Sequence, residues 1–444
     1  MTYQECVDYI LSVPLFAAKL GTDTLNQILD IMEHPEKSYA VVHVAGTNGK
    51  GSTCSFLASI LKQAEKKVGV FTSPHLIKIN ERLSINGQVI SDEEFVILFT
   101  ETMGYIEIAK KQGIPHPSFF ELMFLMGALY FKKQQVDYAI FETGMGGRLD
   151  ATNVLEPILT IITSVGLDHT QFLGDTIEKI AAEKAGIIKK GVPVVFFDRK
   201  DEATPIICHY CKKNDAHLHI VEKKQYNLLE ITEKTIDFSF DSVYYMYGSL
   251  KIRKTALYQI ENAVLAVKAY ELLLMNENRF YDLSALEEQS SNHILTDTDI
   301  DDIQAGLMNM VWRGRMECVS KNVYIDGAHN EEAIDAFCRT IEVLFPNEQK
   351  ILLFAVSRDK DYGNMIKKLC EIDFHEVIVV RYDDSRSAEV SMVAETFRHF
   401  SGSKITTFDD IREGFLYGKS HVCDSVLFCV GSLYLAGNLL SLGV

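Results

Sequence analysis

The chain has 444 residues, with 44 basic and 61 acidic side chains and a net charge of −17. That length exceeds one ordinary core, so two domains are expected, and a content of 47% hydrophobic and 24% charged residues excludes intrinsic disorder. A pI near 5.3 excludes a broad nucleic-acid surface, which needs clustered Lys and Arg, but not a small anionic ligand held by a few local donors.

The start, Met1-Thr2-Tyr3-Gln4-Glu5-Cys6, has no cationic stretch before an apolar run, so no secretory signal is expected. Tyr39 to Val44 reads as a strand, followed by a Gly-rich turn and a helix from about Gly51 to Ala64. Further strands are read at Val68–Phe71, Val136–Phe141 and Leu159–Thr163. Such βα alternation predicts an α/β fold with a mostly parallel sheet covered by helices. Seven acids and no Lys or Arg lie between Asp282 and Asp302, as a solvated loop or an acidic helix start, with the helix running to about Met310. A second α/β series comes next, with strands at Asn322–Ile325, Ile351–Ala355, Val377–Val380 and Val426–Val430. Its helices are read near Glu331–Leu344, Tyr362–Cys370, Val390–His399 and Ile411–Tyr417. The domain boundary is placed near Val311-Trp312, giving domains 1–311 and 312–444.

Nine irregularly spaced cysteines read as reduced thiols of a cytoplasmic protein. Cys208-His209-Tyr210-Cys211 with His217 and His219 imitates a zinc set, but the second pair is His-x-His. A helix Thr204–Lys213 and a strand Leu218–Val221 account for these residues without metal. Ser425 to Val444 carries no charge over a membrane-spanning length, but Gly431-Ser432 divides it into a buried strand and an apolar helix, Leu433–Leu442. No membrane anchor is expected.

Gly46-Thr47-Asn48-Gly49-Lys50-Gly51-Ser52-Thr53 sits between a strand and a helix, the context a phosphate-binding loop needs. The glycines let the backbone approach phosphate oxygens, N–H groups and the helix dipole face the anion, and Lys50 supplies a point charge. Walker spacing fails at two places: Val44 stands where the first Gly should be, and Gly51 follows the Lys. Glu142 ends an apolar strand, where ligands of open α/β sheets bind, and its hard carboxylate suits Mg²⁺. Asp168-His169 follows the next strand, and Thr72-Ser73-Pro74-His75 follows Val68–Phe71. Each alone has a bland reading as a strand end, cap or turn; together with the loop they read as one site. Lys184, at an apolar helix end, reads either as a snorkelling Lys or as one carbamylated by CO₂, and the residues alone do not choose.

The ordered set of motifs resembles the folylpolyglutamate synthase and dihydrofolate synthase family of the Mur-ligase superfamily, from about Leu25 to the C-terminus. The resemblance is carried by His43 to Ser52, Thr72 to Leu76, Asn80-Glu81-Arg82, Phe119-Phe120-Glu121, Glu142 to Asn153, Gly166 to His169 and Glu183 to Gly186. Gln259 with Asn262, Trp312 with Arg315, Asp326 to Asn330, and Asp359-Lys360-Asp361 complete it. Three positions depart from the family pattern: Arg313 for a usual Pro, Ser164 for Asn, and Tyr258 for His, the last able to alter adenine contacts.

The resemblance implies a P-loop α/β domain and a smaller, Rossmann-like second domain. It implies an ATP-dependent ligase that adds L-glutamate to a folate, to dihydropteroate, or to both. ATP and Mg²⁺ would be its cofactors, with a carbamate on Lys184, and it would act as a cytoplasmic monomer on small molecules. Lys50, Lys184, His169 and Glu142 would be catalytic, and Ser73, Glu142 and His169 would hold Mg²⁺. ATP would meet Gly46, Thr47, Asn48, Gly49, Lys50, Gly51, Ser52 and Thr53, together with Asn262, Arg315, Asp326 and His329, the last three reaching across from the second domain. The folate side would use Ser73, Pro74, His75, Arg82, Phe120 and Glu121.

A carboxylate does not react with an amine at neutral pH because its leaving group is oxide; phosphorylation makes it an acyl phosphate with a good one. Charge on the γ-phosphate must then be offset, and water kept out by closure of a cleft. The alternatives are a Mur-type ligase acting on a cell-wall nucleotide and a P-loop NTPase switch without ligase chemistry. The Ser-Pro-His and Phe-Phe-Glu segments count against the first, and the second-domain motifs against the second.

Overall fold

The computed structural model describes residues 1–14, 22–253, 255–277, 295–382, 386–422 and 425–443. Asp282, Glu287 and Glu288 of the acidic stretch lie outside the described residues. The chain divides into two units: Met1–Leu229, Asp237–Ile252 and Glu261–Val311 form the first, and Glu230–Ile236, Arg253–Ile260 and Trp312–Val444 the second. The second unit therefore takes two short earlier segments besides the part that begins at Trp312, which a single boundary does not include.

The first unit contains β1 (Ala40–Ala45), β2 (Val68–Phe71), β3 (Leu83–Ile85), β4 (Gln88–Val89), β5 (Tyr138–Glu142), β6 (Leu159–Ile162), β7 (Val194–Asp198) and β8 (Leu218–Glu222). They pair in the order β4-β3-β2-β5-β1-β6-β7-β8. Six strands run parallel, and β3 and β4 form an antiparallel edge. β1, β2, β5 and β6 are almost wholly buried, so both faces are covered and the runs read as continuously apolar rather than alternating. One face packs on an aromatic cluster in which the rings of Phe71, Phe124 and Phe131 all meet Phe141 at 5.5–5.7 Å. Burying each such ring contributes about 1.5–3 kcal/mol.

Helix Lys50–Gln63 follows β1 and lies against helix Asp297–Asn309. The contact is close because Gly306 has no side chain: a Cβ there would come within 2.5 Å of the Ile60 Cα. The Ser59 hydroxyl donates to the Gly306 carbonyl at 2.7 Å across this seam. Asp299 of the acidic stretch acts as expected of an acid at a helix start, since its carboxylate accepts from the Thr296 N–H at 2.8 Å in a capping box.

A three-stranded sheet, β9 (Tyr226–Ile231), β10 (Ile236–Asp241) and β11 (Met246–Ile252), is paired in the order β11-β10-β9 and is absent from the strands expected from sequence. In the second unit β12 (Glu317–Ser320), β13 (Val323–Ile325), β14 (Gln349–Phe354), β15 (Phe374–Val380), β16 (Lys404–Phe408) and β17 (Ser425–Val430) pair in the order β12-β13-β17-β14-β15-β16. β12 is an antiparallel edge and the rest are parallel. Tyr324, Phe337, Phe345 and Phe428 form the aromatic centre of this unit's core. The uncharged tail is strand β17 followed by helix Leu433–Ser441. Among the described residues no helix is long and apolar enough to cross a membrane. Cys208 and Cys211 lie on helix Ala203–Lys213, and the described residues contain no group of three His, Cys, Asp or Glu side chains placed to hold a metal ion.

Candidate active site

Topology gathers the motifs. β2, β5, β1 and β6 are neighbours and parallel, so the loops leaving their C-terminal ends meet at one sheet edge. These loops are Thr72–His75, Glu142–Gly147, Gly46–Lys50 and Thr163–His169. Register sharpens the placement: Val44 pairs with Glu142 and Ala45 with Ile162. A carboxylate at the end of β5 thus stands beside the first residues of the phosphate loop.

The loop is fastened to the segment after β6. The Thr47 N–H donates to the Ser164 carbonyl at 2.8 Å, the Asn48 N–H to the Ser164 hydroxyl at 3.0 Å, and the Thr163 hydroxyl to the Asn48 carbonyl at 2.6 Å. Ser164, one of the departures from the family pattern, therefore serves the loop directly. The Lys50 ammonium turns back over the loop, donating to the Gly46 carbonyl at 3.0 Å and the Thr47 carbonyl at 3.4 Å, and lies 4.0 Å from the Glu142 carboxylate.

Gly49 caps helix Lys50–Gln63 with φ +86°, and a Cβ there would lie 2.2 Å from the Asn262 carboxamide oxygen. The structure thus brings Asn262 to the phosphate loop. Gly49→Ala meets both a left-handed backbone and this side chain. It should weaken ADP binding about tenfold or more and cost about 1–3 kcal/mol of stability, read by ADP titration and a urea melt. Binding within twofold of wild type would contradict this.

Glu142 is buried and its other oxygen accepts the Ser73 N–H at 3.0 Å, which ties the Thr72–His75 loop to β5. The Ser73–Pro74 peptide is cis, and Pro74 is exposed. Arg82 Nε donates to His75 Nδ1 at 3.0 Å, and its guanidinium lies 5.1 Å from the Phe119 ring centre. Burial, helped by the Arg82 charge, lowers His75 to about 4. The imidazole is therefore neutral at pH 7, and its remaining proton sits on Nε2 as a donor. Phe120 packs against Gly144, where a Cβ would come within 2.7 Å of the ring. One oxygen of Glu121 accepts from the Ser118 N–H and hydroxyl, both at 2.7 Å, in a capping box.

Lys184 is set by glycine packing. A Cβ at Gly186 would fall 2.4 Å from that of Arg148, and one at Gly147 would fall 2.8 Å from the Glu183 carbonyl. The Arg148 N–H donates to that carbonyl at 2.8 Å. The two backbones touch, and the Lys184 side chain is enclosed at 3% exposure. Burial and then the Lys50 charge lower its amine to about 7, while Asp168 and Asp150 act against them. His169 caps the short helix Thr170–Leu173 with a left-handed backbone, and its N–H donates to the Asp168 carboxylate at 2.8 Å.

In the second unit, Asp326 to Asn330 runs from the end of β13 into helix Glu331–Leu344, which the Asn330 side chain caps. Arg315 donates to the Gly314 carbonyl at 3.1 Å, and a Cβ at Gly327 would lie 2.3 Å from its guanidinium, so Gly327 leaves room for it. His329 Nδ1 hydrogen-bonds the Gly327 carbonyl at 2.8 Å. Arg313, another departure, pairs with Glu317 at 3.0 Å.

Residues 44–270 match the Mur ligase middle domain, and residues 314–432 the Mur ligase glutamate ligase domain. Over 444 residues, 98% of each chain, the sequence is 35% identical to the dihydrofolate synthase/folylpolyglutamate synthase of Bacillus subtilis. The chain belongs to the folylpolyglutamate synthase/dihydrofolate synthase family of Mur ligases. The folylpolyglutamate synthase of Thermotoga maritima is 29% identical with a TM-score of 0.80, covering 100% of this chain and 97% of that one. That of Mycobacterium tuberculosis, complexed with ADP, is 25% identical with a TM-score of 0.86, covering 99% and 98%.

As a member of this family the protein is an ATP-dependent ligase. Its residues fit Mg²⁺. The Ser73 hydroxyl and Glu142 carboxylate are hard oxygen donors on loops joined by a hydrogen bond, and Mg²⁺ takes few protein ligands because it keeps its waters. Two buried hydroxyls beside these loops, Thr53 and Thr143, have no hydrogen-bond partner among the described residues. Thr143 lies inside the Glu142 to Asn153 motif, but sequence reasoning assigns it no role of its own. The same holds for Asp150. It is buried, accepts from the Met145 and Thr152 N–H groups and the Thr152 hydroxyl, and so shapes the loop after β5. His43 Nε2 meets that same hydroxyl at 2.8 Å, and burial lowers this histidine to about 3, so it is neutral scaffold.

Proposed function

We propose that the protein joins the amino group of L-glutamate to a carboxylate of a folate, of dihydropteroate, or of both, converting ATP to ADP and phosphate through an acyl phosphate. The observation that carries this reading is the Lys50 ammonium, held over the phosphate loop and 4.0 Å from Glu142. Loop N–H groups and Lys50 bind and offset phosphate charge as the γ-phosphoryl group moves to the acceptor carboxylate. Ser73, Glu142 and His169 are the proposed Mg²⁺ ligands, and the ion when bound would offset further phosphate charge. Asn262, Arg315, Asp326 and His329 are proposed nucleotide contacts.

Ser73, Pro74, His75, Arg82, Phe120 and Glu121 are the proposed folate side, where neutral His75 offers an Nε2 proton. One oxygen of Glu121 also holds that segment through its capping box with Ser118. Lys184 is proposed to carry a carbamate, for which its burial and lowered amine prepare it. The domains 1–311 and 312–444 are proposed as the two functional halves, with the segments 230–236 and 253–260 belonging structurally to the second. We further propose that it works in the cytoplasm, as a monomer, on small molecules and not on nucleic acid; the eight cysteines among the described residues are all free.

The test sets dihydropteroate and tetrahydrofolate side by side with ATP, Mg²⁺ and glutamate. ADP should form only when glutamate and one of the two acceptors are both present. ADP release independent of both would favour a nucleotide switch, and glutamate-free turnover of a cell-wall nucleotide with another amino acid would favour a different Mur-type ligase.

A further inference from the structure

Asp326 is 2% exposed at the end of β13. Its carboxylate takes three donors: the Ala328 N–H on Oδ1 at 2.8 Å, and on Oδ2 the Met316 N–H at 2.9 Å and the Tyr258 hydroxyl at 2.6 Å. Tyr258 stands 68 residues earlier, in one of the short segments that join the second unit. Burial, with the Asp326 charge adding to it, pushes the Tyr258 phenol well above its ordinary value, so it keeps its proton and is the donor.

An ionised carboxylate has about four acceptor sites. Oδ2 spends both of its own on Tyr258 and Met316, and Oδ1 spends one on Ala328. One acceptor site is left, on Oδ1. An acceptor-only group repels phosphate oxygens, so the part of ATP it can take is a hydroxyl or amino donor of the nucleoside.

We propose that Tyr258 is a positioning residue for nucleotide binding: its hydroxyl pins Oδ2 of Asp326, so that the free acceptor site of Oδ1 is presented to the nucleoside. This rests on the ligase reading with Asp326 as a nucleotide contact. Burial raises the Asp326 carboxyl above its usual range, and Arg315, Tyr258 and the two backbone donors pull it back. Tyr258 thus also helps keep the acceptor charged. A histidine, usual at this position in the family resemblance, has a shorter reach, so the hydroxyl contact is particular to tyrosine.

The test is ADP titration by calorimetry of the full chain between about pH 5.5 and 8.5, with Tyr258→Phe, Asp326→Asn and the double variant. Tyr258→Phe should weaken ADP binding about tenfold at pH 7.5 and leave kcat at saturating ATP within about twofold. Removing a donor to the charged carboxylate raises its pKa, so the acid-side loss of affinity should move to higher pH. On the Asp326→Asn background the same change should add nothing, because Tyr258 acts through that carboxylate. Unchanged affinity with an unmoved acid limb would overturn the proposal, as would an equal loss on the Asp326→Asn background. A Tyr258→Phe protein that no longer melts cooperatively would make the hydroxyl a requirement of folding and overturn the positioning role. Wild-type protein that binds no ADP would overturn the ligase reading and the proposal together; wild-type binding with Tyr258→Phe unaltered overturns the proposal alone.

Discussion

Replacing Lys50 with Ala should abolish ATP-dependent ligation, with kcat/KM falling by about 10³-fold or more, equivalent to about 4 kcal/mol of transition-state stabilisation. The reason is positional. The ammonium is fixed by the Gly46 and Thr47 carbonyls, and its side chain is only 16% exposed, so its charge is partly shielded from water. A unit charge about 4 Å from a phosphate oxygen at an effective dielectric near 20 is worth about 4 kcal/mol, which sets the scale of the loss. The melting temperature should change little, because the loop keeps its bonds to Thr163 and Ser164. Turnover within about tenfold of wild type would sink the assignment of this loop.

Removing the Lys184 amine should be nearly as damaging, and for a different reason. An exposed lysine near pKa 10.4 is almost wholly ammonium at pH 7 and a poor partner for CO₂. Burial and then the Lys50 charge bring this one to about 7, so the neutral amine is well populated at physiological pH. Carbamate formation joins that amine to CO₂ and releases a proton. Protein in ¹³C-bicarbonate with Mg²⁺ at about pH 8 should show a carbamate carbonyl resonance that Lys184→Ala lacks. Stripping CO₂ should lower ligation and bicarbonate should restore it, while Lys184→Ala should lose about 10²-fold or more under both conditions. Absence of the resonance would remove the carbamate. Unmodified Lys184 also leaves a mark on stability. Its folded pKa lies below the unfolded value, so the unfolded chain binds more protons between about pH 7 and 10.4. The destabilisation is therefore full below about pH 7 and is relieved as pH rises toward 10.4.

The parts of the site legible in the sequence share one property: each ends a short apolar run. Val44, Phe71, Phe141 and Ile162 announce buried strands, and the loop after each strand must emerge at the same edge of a parallel sheet. That is why Lys50, Ser73, Glu142 and Asp168-His169 can be grouped from the sequence alone. Contacts that bridge long stretches of chain leave no local trace. Nothing near Tyr258 points to Asp326, and nothing near Asn262 points to Gly49. The β9–β11 sheet does have a signal, since Ile236, Phe238 and Phe240 alternate with polar residues and are all buried, but the pattern does not say which strands it pairs with. Glu121 has two readings at once. Ser118-Phe119-Phe120-Glu121 is a legible capping box, so the carboxylate that the family resemblance places among the substrate contacts also starts a helix.

The interleaved course of the chain bears on how this protein can be dissected. A fragment cut at 312 keeps all six strands of the second sheet but loses Ala256, which is wholly buried in that unit's core. It also loses the Thr255 hydroxyl bond to the Met316 carbonyl and the Leu257 N–H bond to Thr340. Tyr258 leaves with them, so the Asp326 carboxylate would keep its burial and forfeit one of its three donors. Such a fragment would be an incomplete body, and the pieces needed to complete it, 230–236 and 253–260, sit inside the other fragment's sequence. Splitting or swapping halves of this enzyme therefore calls for carrying those segments along, not for a cleaner cut near 312.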